Sequence, residues 1–222
     1  MKKTAKSKPF EAWLISEVEE VFHLSHVEMH PMLEQWLIEG NSDAVSISLY
    51  EQQTLDFLQR KLRQNVDIWN EEELKMAFIG PVLSLVDFYE GRYNLFFERK
   101  LTAKVDNITL NGVVDCLIAS GKQIPGRPYF CLQEYKPKKY DNDPIGQLLI
   151  SMVCAQAKNE NPAQPIYGVL VEYRFWYFAV LHGREYTLCE PFAATRDEDL
   201  PRIFKILKQL KLLIEPWLTP QR

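Results

Sequence analysis

Apolar residues recur at helical spacing through the first third of the chain. Trp13, Ile15, Val18 and Phe22 follow Pro9, and Leu33, Trp36 and Leu37 follow Pro31. Leu49, Leu55, Leu58 and Leu62 punctuate a polar stretch from about Ser42 to Asn65. The spacing predicts three helices, with Gly40-Asn41 as a turn among them. A further helix is predicted over WNEEELKMAFIGPVLSLVDFYE, where Asn70 can cap, Glu71, Glu72 and Glu73 fill a first turn that favours negative charge, and Leu74, Phe78, Val82 and Leu85 make an apolar stripe. Pro81 is expected to kink it.

The period then changes to that of strands. RYNLFFERKLTAKV, ITLNGVVDCLIAS and RPYFCLQEYKP are separated by Asp106-Asn107 and by the turn-rich GKQIPGRP. PIGQLLISMVCAQAKN returns to a helix, with Asp143 suited to its N-cap and Pro144 to its first position. PIYGVLVEY, FWYFAVL and REYTLCEPF read as a strand and a hairpin turning at His182-Gly183. A last amphipathic helix carries Leu200, Ile203, Phe204, Leu207, Leu210 and Ile214. The order predicts an α/β fold: a helical region over 1–66 packed on a core over 67–222 that runs αβββαβ with extra strands and a closing helix.

Composition narrows the classes without choosing a function. With 222 residues, 46% hydrophobic and 25% charged, the chain can bury a core without disulfides or structural metal. Cys116, Cys131, Cys154 and Cys189 form no CxxC pair and read as buried thiols of a cytoplasmic protein. MKKTAKSKPFEAW has no apolar stretch of a signal peptide, and no apolar run is long enough for a membrane span. The net charge of −4 gives no global field toward nucleic acid, so such binding would need a local basic patch. Lys2, Lys3, Lys6 and Lys8 read as a solvated tail.

One constellation stands out. Asp115 interrupts an otherwise apolar strand, where an unpaired charge is expensive, and Glu134 and Lys136 sit two apart on the next strand and so share a face. Two carboxylates converging beside a lysine make an oxygen site for Mg²⁺, or Mn²⁺, with the ammonium left to steer a water. Lys138, Lys139 and Tyr140, directly after this site, form the basic-aromatic patch that could neutralise a phosphodiester backbone. His23, His26 and His30, spaced H-x2-H-x3-H, are expected to bind no zinc, because Pro31 breaks a helix there and Glu28 is misplaced for the metalloprotease pattern.

GVVDCLIA and LQEYKP, in this order of elements, resemble the PD-(D/E)XK nuclease superfamily, and NEEELKMAFIGPVL resembles the first helix of the nuclease domain in type I restriction subunits. The likeness covers roughly residues 70–171, with Val114 in place of the motif proline. It implies a restriction-endonuclease-like core with a mixed sheet. It also implies Asp115, Glu134 and the Tyr135 main-chain carbonyl as metal ligands, with Lys136 orienting or deprotonating the attacking water. Glu71 would be the first-helix acid, and Gln147 the glutamine of the helix after E-x-K. The expected activity is metal-dependent hydrolysis of nucleic-acid phosphodiesters, with DNA as the substrate. The alternative is a catalytically inactive module that binds nucleic acid or a protein; a homodimer or a recruiting partner stays open.

Overall fold

The three alternating strands of the middle segment form as β3 (Tyr93–Val105), β4 (Ile108–Ser120) and β5 (Gly126–Lys136), in a computed structural model that describes residues 6–40, 45–89, 91–139 and 141–218. β3 and β4 make a hairpin whose turn holds Asp106 at φ 52, a left-handed position that a short polar side chain tolerates. β5 runs antiparallel to β4, and β6 (Ile166–Glu172) runs parallel to β5. A parallel step needs a long crossover, and α6 (Pro144–Asn159) supplies it. β7 (Phe175–His182), β8 (Glu185–Leu188) and the short β9 (Phe192–Ala193) continue the sheet antiparallel. The hairpin between β7 and β8 turns after His182 as expected, and a second tight turn at Tyr173-Arg174 joins β6 to β7. The result is an α/β fold built on a mixed sheet.

The N-terminal region departs from helices alone. α1 (Ile15–Phe22), α2 (Pro31–Gly40) and α3 (Leu49–Asn65) form, but β1 (Lys6–Pro9) also pairs parallel with β4, and β2 (Ser25–His26) with β8. Runs of four and two residues are too short to show alternation, so only their partners define them. Lys8 is no free tail residue: its Nζ lies 2.6 Å from Glu17 and over the Trp13 ring. Lys2, Lys3, Asn41 and Ser42 lie outside the described residues. α3 starts later than its apolar spacing suggests because Ser48 and Glu51 make a reciprocal cap, Glu51 N–H to Ser48 Oγ and Ser48 N–H to Glu51 Oε2.

The helix expected over 69–90 is broken by a π turn. α4 (Glu71–Leu74) and α5 (Gly80–Val86) flank a π-helical segment, Lys75–Ile79, in which Gly80 N–H donates to the Lys75 carbonyl. Pro81 has no N–H to give and its ring crowds the preceding turn, and the ladder widens by one residue just before it.

Two cores sandwich the sheet. α2, α3, α5 and α7 (Asp199–Ile214) bury Trp36, Leu58, Val82 and Leu207 on one face, and α1 and α6 bury Val18, Leu149 and Met152 on the other. Trp36 packs edge-on against Tyr167 and Phe178 and donates its Nε1–H to the Ile206 carbonyl at 2.7 Å. The four cysteines are buried and free. No helix among the described residues is long and apolar enough to cross a membrane.

Asp143 ties the second core together. One of its oxygens accepts from Gly146 N–H and caps α6; the other accepts from Ile15 N–H at the start of α1. The two helix starts approach so closely that a Cβ on Gly146 would lie 2.6 Å from the Trp13 carbonyl oxygen and 2.7 Å from Ile15 N. Gly146→Ala should therefore cost about 1–3 kcal/mol despite its better helix propensity, read as a lower urea midpoint at unchanged slope.

Candidate active site

The site begins where β4 runs out of neighbours. On one edge, β1 pairs with Ile108 to Asn111 and β5 with Cys116 to Ser120, which leaves Gly112 to Asp115 unpaired between them. Asp115 is thus the last residue of a gap in the ladder, at the point where β4 and β5 part. Its Oδ2 accepts the Tyr135 N–H at 2.8 Å, a bond that a β4 carbonyl would otherwise take. A strand residue points its N–H and C=O to the same side, so the Tyr135 carbonyl faces the same gap. On the other edge the β3–β4 ladder skips the Glu98/Asp115 position, where Glu98 takes φ 49.

The remaining oxygen of Asp115 faces Lys75, at the first position of the π turn. Lys75 Nζ lies 2.7 Å from Asp115 Oδ1, 2.7 Å from Glu71, 3.1 Å from Glu98 and 3.5 Å from Glu72. Burial alone would lower the lysine pKa, but the hydrogen bonds to Asp115 and Glu71 and the charge of Asp115 outweigh it and hold the ammonium well above the usual lysine range. A cavity of about 460 Å³ opens beside the cluster, walled by Met76, Pro81 and Phe97 and reaching Asp115 and Tyr135.

Glu134 and Lys136 form a second pair, Nζ to Oε1 at 2.5 Å, and both are buried. Burial first, and then repulsion from Asp115 with a smaller part from Glu71, pushes the Glu134 carboxyl up to about 8 against the pull of Lys136. Within the sequence-derived set, Asp115 and Glu71 both act on Glu134, and Lys136 bonds it directly. Asp115, Glu134 and the Tyr135 carbonyl are hard oxygen donors, the kind that suit Mg²⁺ or Mn²⁺. Among the described residues no three His, Cys, Asp or Glu side chains are arranged to hold a metal ion, and the cation that the acids around Asp115 face is Lys75.

The outer candidates are held differently. Gln147 is buried near the start of α6 and accepts from Asn142 Nδ2 at 2.9 Å, which ties it to its own loop. Lys138 is exposed but engaged, with Asp67 Oδ1 at 2.5 Å and the Tyr173 ring below it. Lys139 is exposed, and Tyr140 lies outside the described residues. The histidines do not share a helix: His23 ends α1 in a left-handed conformation, His26 is in β2, and His30 meets His182 edge-on with its pKa lowered chiefly by burial.

Sequence reasoning missed Lys75 and Glu98. Lys75 lies four residues after Glu71, so its reach to that acid was readable as a helical neighbour. Its reach to Asp115 depends on how the helix docks across the sheet. Arg174, which stacks on Tyr173 at the β6–β7 turn next to the end of β5, was missed as well; Tyr173 N–H donates to the Lys136 carbonyl there. Neither the family models nor the curated proteins give a match to this chain, so the candidate site rests on its own residues.

Proposed function

We propose that this protein is a metal-dependent nuclease of the PD-(D/E)XK type, hydrolysing phosphodiester bonds of nucleic acid, with DNA as the expected substrate. The reading is carried by one observation: β4 and β5 part at Cys116/Gln133, and the gap brings the Asp115 carboxylate and the edge of Tyr135 together beside the buried Glu134–Lys136 pair. The helix–three-strand–helix–strand order and the mixed sheet support the restriction-endonuclease-like core. A divalent cation held by Asp115, Glu134 and the Tyr135 carbonyl would polarise a phosphate oxygen and acidify an attacking water.

The chain's own groups divide the remaining work. The Tyr135 N–H fixes the rotamer of Asp115. Lys136 holds Glu134 through a charge-assisted hydrogen bond and has two further ammonium hydrogens with which to orient a water. Glu71 adds negative charge from the helix side. Lys139 and the Arg174 turn lie beyond the end of β5, where a phosphate backbone needs neutralising.

A second reading has its own observation. Lys75 already neutralises Asp115 at 2.7 Å, as it would in a nuclease-like module that has given up metal and only binds. Incubating the full chain with single- and double-stranded DNA and RNA, with Mg²⁺, Mn²⁺ or EDTA, separates the two. The nuclease reading expects cutting that EDTA stops. Binding without cutting under every condition would select the module instead.

A further inference from the structure

Lys75 has more carboxylates around it than one ammonium needs, and they are not equivalent. Asp115 and Glu71 are the inner pair, with side chains 12% and 33% exposed, each at 2.7 Å. Glu98 and Glu72 are the outer pair, 60% and 76% exposed, at 3.1 and 3.5 Å. The lysine side chain is only 14% exposed, a flexible four-carbon stem beside an open cavity. Removing it from the inner pair would leave those two carboxylates without the charge they share.

Resting on the metal-dependent reading above, we infer that Lys75 is a resident counter-cation: it occupies the one oxygen of Asp115 that Tyr135 N–H leaves open to a divalent ion, and metal enters only by exchange with it. Lys75 then moves outward onto Glu98 and Glu72, which already touch it, so its charge stays paired through the exchange. The arrangement keeps the acids assembled at low divalent concentration and makes metal affinity weaker than that of the same oxygens without a competitor. Lys75 is a positioning residue in this scheme, since it acts through Asp115 and Glu71 and touches no reacting atom.

The distinguishing quantity is metal affinity rather than turnover. Isothermal titration calorimetry with Mn²⁺ alone, on the full chain, compares wild type with Lys75→Met, Lys75→Gln, Lys75→Arg and Asp115→Asn. Circular dichroism melts identify the variants that fold, and two neutral replacements guard against one that does not. Both should bind Mn²⁺ about tenfold or more tightly than wild type, because one positive charge in direct contact has been removed. Lys75→Arg keeps the charge and should stay close to wild type, and Asp115→Asn should not bind. Lys122→Met, a charge removal on the turn after β4, should change nothing.

If wild type binds Mn²⁺ through Asp115 but the neutral variants bind no better, the exchange is overturned and the metal reading survives. If none of the proteins binds Mn²⁺ at millimolar concentration, both fall together.

Discussion

Asp115→Ala is expected to lose divalent-cation binding and nucleic-acid cleavage together, with the cleavage rate down by at least about 10³-fold. Asp115 supplies an oxygen that nothing nearby replaces: Glu71 and Glu98 approach the cluster from the helix and from β3, whereas the Asp115 carboxylate is locked into the β4–β5 gap by Tyr135 N–H. Lys136→Met should lose cleavage to a similar degree for a different reason. The thioether keeps the buried stem packed, but no ammonium remains to hold Glu134 or to orient a water. An ammonium contributes no electron pair to a coordination shell, so Mn²⁺ affinity should be unchanged or tighter in this variant. Single-turnover cleavage beside Mn²⁺ titrations checks both. Metal-dependent cutting that survives both substitutions would place the chemistry elsewhere.

The residues that carry this expectation were legible because their signals are local. A charge inside GVVDCLIAS is conspicuous in any window, and the period of two in QEYK puts Glu134 and Lys136 on one face without knowledge of neighbours. The capped starts of α4 and α6 were legible for the same reason. What was not legible depends on the partner. β1 and β2 are strands only because β4 and β8 offer them edges. Pro81 announced a break in the helix but not its form, a π turn in which Gly80 N–H donates to the Lys75 carbonyl five residues back. Lys75 itself looks like any solvated helical lysine until the helix is laid against the sheet.

The gap in the β4 ladder is the clearest case. It arises because two strands from distant parts of the chain share one edge of β4 and stop short of each other. Nothing in residues 112–115 announces it except Gly112, and even there the reason is remote: a Cβ on Gly112 would fall 2.3 Å from the Phe10 ring, which crosses at that point. The candidate site is therefore a product of tertiary register, with its chemistry written locally and its geometry written elsewhere.

Glu134→Gln is expected to change the pH dependence of stability more than any other conservative substitution in the site. The folded carboxyl sits at about 8, above the ordinary glutamate value of 4.5, because it is buried and faces Asp115 and Glu71 with only Lys136 to offset them. Between those two values the folded state keeps a proton that the unfolded chain releases. The contribution of Glu134 is therefore fully present below about pH 4.5 and is lost as pH rises through 8, with a slope of up to about 1.4 kcal/mol per pH unit. Gln cannot ionise, yet its amide oxygen can still accept from Lys136. In EDTA, urea midpoints of wild type and Glu134→Gln should thus lie close at pH 5 and separate progressively toward pH 9, with the variant the more stable. Parallel curves over that range would mean that Glu134 ionises freely in the folded protein. Divalent metal should act on the same proton: a cation at Asp115 and Glu134 favours the carboxylate, so Mn²⁺ binding near neutral pH should release protons. Calorimetry in two buffers of different ionisation enthalpy would read that release from wild type, and Glu134→Gln should not show it.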